Sequence, residues 1–127
     1  MAVESVNVRY MVNDVEASIA WYTENLGFKL LTKHPPAFAD VGRGALRLLL
    51  SGPTSSGARP MPDGEQPVPG GWNRIHLVVA DLGREVAQLR KRGLTFRNEI
   101  VTGPGGSQIL LVDPSGNLVE LFEPARR

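Results

Sequence analysis

A single carboxylate, Glu120, stands inside the apolar run Leu118-Val119-Glu120-Leu121-Phe122. Side chains alternate across a strand, so Leu118, Glu120 and Phe122 share one side and Val119 and Leu121 the other. An ionised carboxylate between apolar neighbours requires a partner: a metal ion, a basic side chain or water. His76, in Arg74-Ile75-His76-Leu77, can change charge near neutral pH. With Glu120 it makes up the catalytic candidates. Arg9, Arg47 and Arg74 carry forked donor sets that clamp a carboxylate, phenolate or quinone oxygen and stack on aromatic planes. Glu120 is therefore read as an ion-pair member holding arginines, in preference to a base or a metal ligand. Trp72 and Phe38 are candidates for stacking a flat ligand, with Leu49 and Phe122 as apolar wall.

The elements that must position these residues follow from periodicity. Residues 6–12 alternate as a strand, and Asn13 or Asp14 then offers an N-cap. Val15, Ile19, Tyr22 and Leu26 form the stripe of an amphipathic helix that Gly27 ends. Residues 28–32, 38–41 and 45–50 read as strands. Residues 51–71 are crowded with proline and glycine and form a connecting loop. The pattern then restarts: residues 74–82 lie over 7–15, with Asp81 as the second cap and Leu82, Val86 and Leu89 as the second stripe. Residues 94–99 read as a strand. The last two strands flank a turn in which Pro114 presets φ and Gly116 accepts a positive one. The glycine-rich residues 103–106 are a loop.

The chain is thus predicted to be α+β. It has two tandem βαβββ modules, 1–51 and 72–127, joined by residues 52–71 into one domain of 127 residues. A curved mixed sheet with a cleft is expected, its helices outside. Superposing the halves makes Asn7, Arg47, Arg74 and Glu120 equivalent positions, with Arg9, His76, Leu49 and Phe122 beside them.

Composition narrows the function. A net charge of +1 with scattered Lys and Arg argues against a nucleic-acid footprint. With no cysteine, disulfides and thiolate metal sites are excluded. No run reaches membrane-spanning length and no leader pattern opens the chain, so a cytoplasmic protein is the default expectation.

The chain resembles the vicinal oxygen chelate superfamily, also called the glyoxalase/bleomycin-resistance/dioxygenase group. The resemblance rests on Ala20-Trp21-Tyr22-Thr23-Glu24-Asn25-Leu26-Gly27-Phe28 and on Asp113-Pro114-Ser115-Gly116-Asn117 followed by Val119-Glu120-Leu121. It implies that metalloenzymes of the group hold one divalent ion with His and Glu at the four equivalent positions. Here those positions carry Asn7, Arg47, Arg74 and Glu120, and a guanidinium neither ligates nor tolerates a neighbouring cation. The expectation is a metal-free and cofactor-free binding protein rather than an enzyme, sequestering an aromatic or anionic natural product. Its ligand site is expected to comprise Asn7, Arg9, Phe38, Arg47, Leu49, Trp72, Arg74, His76, Glu120 and Phe122. The resemblance also implies a homodimer. The alternatives are a metal-independent enzyme using His76 or Glu120 as base and a divalent-metal-dependent lyase, isomerase or dioxygenase.

Overall fold

A computed structural model describes residues 6–126. Those residues form a βαβββ module and a second one of the same plan with an extra short strand, and the boundary between the two compact units falls between Gly70 and Gly71.

In the first module, strand β1 (Val6–Met11) leads into helix α1 (Val15–Asn25), followed by β2 (Lys29–His34), β3 (Phe38–Arg43) and β4 (Leu46–Ser51). The sheet order is β1-β4-β3-β2, with β1 parallel to β4 and the other pairs antiparallel. Asp14, not Asn13, caps α1, accepting from the Ala17 N–H at 3.0 Å. The predicted stripe Val15, Ile19, Tyr22 and Leu26 is buried, against Tyr10, Val12, Ala39, Val41, Leu48 and Leu50 of the sheet side. Tyr22 is fully buried, with the Trp21 and Phe28 rings set edge-on to it. One sheet face is therefore spent on the helix. The other presents Asn7, Arg9 and Met11 beside Arg47, Leu49 and Ser51, then Phe38, Asp40 and Gly42.

The proline- and glycine-rich stretch holds a short 3-10 turn, Ser56–Ala58, where the sequence suggested no regular structure. The Ser55 hydroxyl donates to the Gly52 carbonyl at 2.7 Å, and Gln66 Nε2 donates to the Ala58 carbonyl at 2.7 Å. These side chains supply the partners that the prolines withdraw from the backbone.

The second module runs β5 (Ile75–Val78), α2 (Leu82–Lys91), β6 (Thr95–Phe96), β7 (Val101–Gly103), β8 (Gly106–Val112) and β9 (Leu118–Pro124). Its sheet order is β5-β9-β8-β6, with β7 also paired to β8. Asp81 caps α2 at Arg84, and Glu123 of β9 accepts from the Leu82 N–H at 2.8 Å. Leu82, Val86 and Leu89 are buried, as are Ile75, Leu77, Ile109, Leu111, Val119 and Leu121. Two details depart from the periodicity. The expected strand over 94–99 stops at Phe96, because Asn98 Oδ1 takes the Leu110 N–H at 2.9 Å in place of a backbone carbonyl. The expected loop at 103–106 is instead a tight hairpin joining β7 to β8. Gly106 pairs there with Pro124, and a Cβ on it would lie 2.2 Å from the Glu123 carbonyl oxygen. Glycine carries no apolar signal, so the strand was invisible in the pattern.

The two caps of α2 come from different elements, which makes the helix start a test of the module's assembly. Asp81→Ala and Glu123→Ala are each expected to lower unfolding free energy by about 1 kcal/mol. Hydrogen exchange should accelerate first at Arg84 in one variant and at Leu82 in the other. Uniform acceleration along α2 in both would show that the caps do not act locally.

Candidate functional site

The open face of the first module is built around a carboxylate that the sequence pattern did not single out. Asp40 lies on β3, and its side chain is 1% exposed. Its Oδ2 accepts from Arg47 Nε, and its Oδ1 accepts from the Thr32 hydroxyl and, at 2.8 Å, from the Thr32 backbone N–H. Arg47 sits on β4 diagonally across the hairpin, where Asp40 faces Leu49 and Gly42 faces Arg47. Burial by itself pushes the Asp40 carboxyl up. The hydrogen bonds from Thr32 and Arg47, with the Arg47 charge, outweigh that and hold it below its ordinary value of 3.8. Glu120 is therefore not the only buried carboxylate facing arginine.

The other predicted residues of this module lie around that pair. Asn7 faces Arg47 across the β1–β4 ladder, and Arg9 faces Leu49. Arg9 Nη1 donates to the Ser51 hydroxyl at 2.8 Å. Its guanidinium packs over Gly57, where a Cβ would meet Nη1 at 2.5 Å. Phe38 is half-buried at the far end of β3, facing Ser51.

The second module's open face gathers Arg74, His76, Glu120 and Phe122. Glu120 is 8% exposed. Its Oε1 accepts from Arg74 Nε at 3.0 Å and lies 2.9 Å from Nη2, while Arg74 Nη1 donates to the Trp72 carbonyl at 3.2 Å. His76 Nε2 is 3.4 Å from the other carboxylate oxygen, Oε2, because His76 and Glu120 are direct partners across the parallel β5–β9 ladder. The ladder thus sets a carboxylate directly beside His76. The imidazole also tilts against the Phe122 ring, 4.7 Å between centroids. Trp72 is 63% exposed, with the Arg97 guanidinium 4.9 Å from its ring centroid. These two, with Gly71, Gly116 and Leu118, line a hollow of about 240 Å³. Arg97 was missed; its signal was parity, since Thr95 faces Val112 and so places Arg97 on the Glu120 side.

The ladders also revise one equivalence. Arg9 and His76 precede their capping aspartates by the same interval, yet Arg9 faces Leu49 while His76 faces Glu120. Leu49, not Arg47, is thus the counterpart of Glu120. The slip arises in the hairpins. Only Gly44 and Ala45 separate the paired Arg43 and Leu46, whereas residues 113–117 separate Val112 from Leu118. Asp113 stabilises that longer turn, its Oδ1 accepting from the Ser115 and Asn117 N–H groups at 2.9 Å each. Gly116 takes the expected positive φ, 89°.

These positions do not suit a divalent ion. In the first module the places read Asn7 and Leu49, neither of them a carboxylate or imidazole, and in the second Arg74 already forks onto Glu120. Among the described residues no three His, Asp or Glu side chains gather at one point. A two-ligand His76–Glu120 site beside a fixed guanidinium falls short of the three donors such ions usually take.

The family model of the Glyoxalase/Bleomycin resistance protein/Dioxygenase superfamily matches residues 5–121. The chain belongs to that superfamily. Among solved structures it is similar to TnmS3, an antibiotic binding protein from Streptomyces sp. CB03234, at 26% identity and a TM-score of 0.74 over 98% of this chain and 99% of that one. A superfamily member from Sphaerobacter thermophilus DSM 20745 is also 26% identical, with a TM-score of 0.76 over 96% and 98%. The lactoylglutathione lyase of Agrobacterium tumefaciens shares the fold at 20% identity, with a TM-score of 0.75 over 97% and 95%. No curated protein matches the chain by sequence. No helix among the described residues is long and apolar enough to cross a membrane.

The Asp40 cluster makes an acid-sensitive contribution of defined sign. Its folded pKa lies below the ordinary 3.8, so the stabilisation is present above that pH and is lost as pH falls through the lower folded value. Asp40→Asn is expected to cost about 1–3 kcal/mol at neutral pH, because Arg47 and Thr32 lose a charged acceptor. In urea unfolding series the gap between variant and parent should narrow on going from pH 6 to pH 2 (roughly the span over which carboxylates titrate). A gap that stays constant would show that the carboxylate charge contributes nothing.

Proposed function

We propose that the chain is a metal-free binding protein for small aromatic anions, acting by reversible capture rather than turnover. The observation that carries this is Arg74, which stands where the superfamily's metalloenzymes are expected to keep a ligand and closes on Glu120 instead. A fixed guanidinium there repels a cation and attracts electron-rich oxygen. Arg97 adds a positive charge matched by no carboxylate among the described residues, and Trp72 offers an exposed ring beside Leu118. Apolar wall and indole would remove ligand surface from water while the arginines fix its orientation. The likeness to an antibiotic binding protein supports the same reading. It carries with it a homodimer, as the resemblance implies, and the cytoplasm is proposed as its location.

A second reading rests on the 3.4 Å approach of His76 Nε2 to Glu120 Oε2. That pair could hold a proton acceptor near Arg74, so that a carbon acid would be deprotonated and its enolate met by guanidinium, with no metal.

Titration with aromatic carboxylates and phenolic antibiotics should quench Trp72 fluorescence. The response should vanish in Trp72→Phe, where Trp21 remains as the reporter of general unfolding. Arg97→Gln should weaken acidic ligands roughly tenfold, the loss of about 1.4 kcal/mol. Mass spectrometry should return the ligand unaltered; a chemically changed ligand would favour the His76–Glu120 reading. Binding that requires a metal removable by EDTA would overturn both.

A further inference from the structure

We propose that the first module carries a separate binding site for a small amphiphilic anion, in the groove beside the β3–β4 turn. The groove holds about 380 Å³ and is lined by Lys29, Leu31, Gly42, Arg43, Leu46 and Arg47, with small residues completing it. That volume lies within the usual span of small-ligand sites, roughly 300–1,000 Å³.

Its charge is one-sided. Three cations line it and no carboxylate does. Arg47 is the only one of the three with an ion-pair partner among the described residues, and Asp40 engages it through Nε alone. That contact orients the guanidinium while leaving its two terminal nitrogens as donors. Lys29 faces Gly42 across the β2–β3 ladder and so shares the open face with Arg47, which also faces Gly42 from β4. The two long cationic side chains thus flank a residue with no side chain of its own.

The remaining wall is apolar. Leu31 and Leu46 supply it, and Leu31 is 52% exposed although large and aliphatic. Leu31 falls at the irregularity between Leu30 and Thr32, which turns its side chain over Gly42: a Cβ on Gly42 would lie 3.0 Å from Leu31 Cδ1. A solvated basic surface would not need this exposed leucine beside a bare glycine. A guest with an anionic head and a short hydrophobic body satisfies both halves of the groove, as an aryl phosphate or aryl carboxylate does. The site shares no lining residue with the hollow at Trp72 and does not rest on the function proposed for that one.

The test uses the full chain, labelled with nitrogen-15 and titrated with phenyl phosphate, inorganic phosphate and benzyl alcohol. Phenyl phosphate is expected to shift the amides of Gly42, Gly44 and Leu46. Inorganic phosphate and benzyl alcohol should each bind at least about tenfold more weakly, since each satisfies only half of the groove. Lys29→Gln combined with Arg43→Gln should weaken phenyl phosphate by roughly tenfold or more while leaving the Trp72 indole resonance in place. Gly42→Ala, which pushes Leu31 into the groove, should weaken it without altering charge. Equal response to phenyl phosphate in the parent and the double variant would overturn the site. So would shifts confined to Trp72 and Leu118, which would assign the anion to the second module alone.

Discussion

A carboxylate with less than a tenth of its surface exposed cannot stay ionised without a donor, and both modules meet that constraint with arginine. Asp40 is held by Arg47 and Thr32, and Glu120 by Arg74 with His76 alongside. The open face of each sheet depends on these pairs. They let a strand carry charge in a buried position, and they fix otherwise flexible guanidinium groups at known places. The pairs contribute little beyond repaying the cost of desolvating both partners. Their consequence is geometric: Arg47 is held through Nε with its terminal nitrogens left as donors, and Arg74 is fixed between Glu120 and the Trp72 carbonyl.

Fixing the guanidinium also decides which chemistry is available. A superfamily built around an ion at the sheet face needs ligands that converge with negative or neutral lone pairs. In this chain the convergent groups are donors, and the acidic ones are already engaged. The same scaffold, with the same helices covering the same strand faces, here carries guanidinium donors on its open faces, and the proposed capture of an anion rests on them. The fold permits either outcome, and only the side chains on one parity of each strand choose between them.

The rest of the architecture keeps that parity intact. Asp14 and Asp81 start the two helices at the same interval from the strands before them, which commits Val8, Tyr10 and Val12, like Ile75 and Leu77, to one face. A slip of one residue would exchange the faces and bury the arginines. The β2 irregularity at Leu31 and the hairpin at Gly106 are local departures from this alternation. The first places an apolar side chain on the polar face.

The sequence by itself determined the module order, both helix stripes, the final turn and the side of each strand on which Asn7, Arg9, Arg47, His76 and Glu120 lie. These depend on local periodicity and caps, which are written within a few residues of where they act. Register and partner choice were decided only by tertiary structure. Asp40 drew no notice because its charge is meaningful only beside Arg47 on the neighbouring strand. Leu49 replaced Arg47 as the counterpart of Glu120 because hairpin length, not sequence likeness, sets which residues meet across a ladder. His76 gained its carboxylate neighbour for the same reason. Pairing between strands is a long-range choice, and a pattern that repeats every two residues fixes the face of a side chain without fixing what stands opposite it.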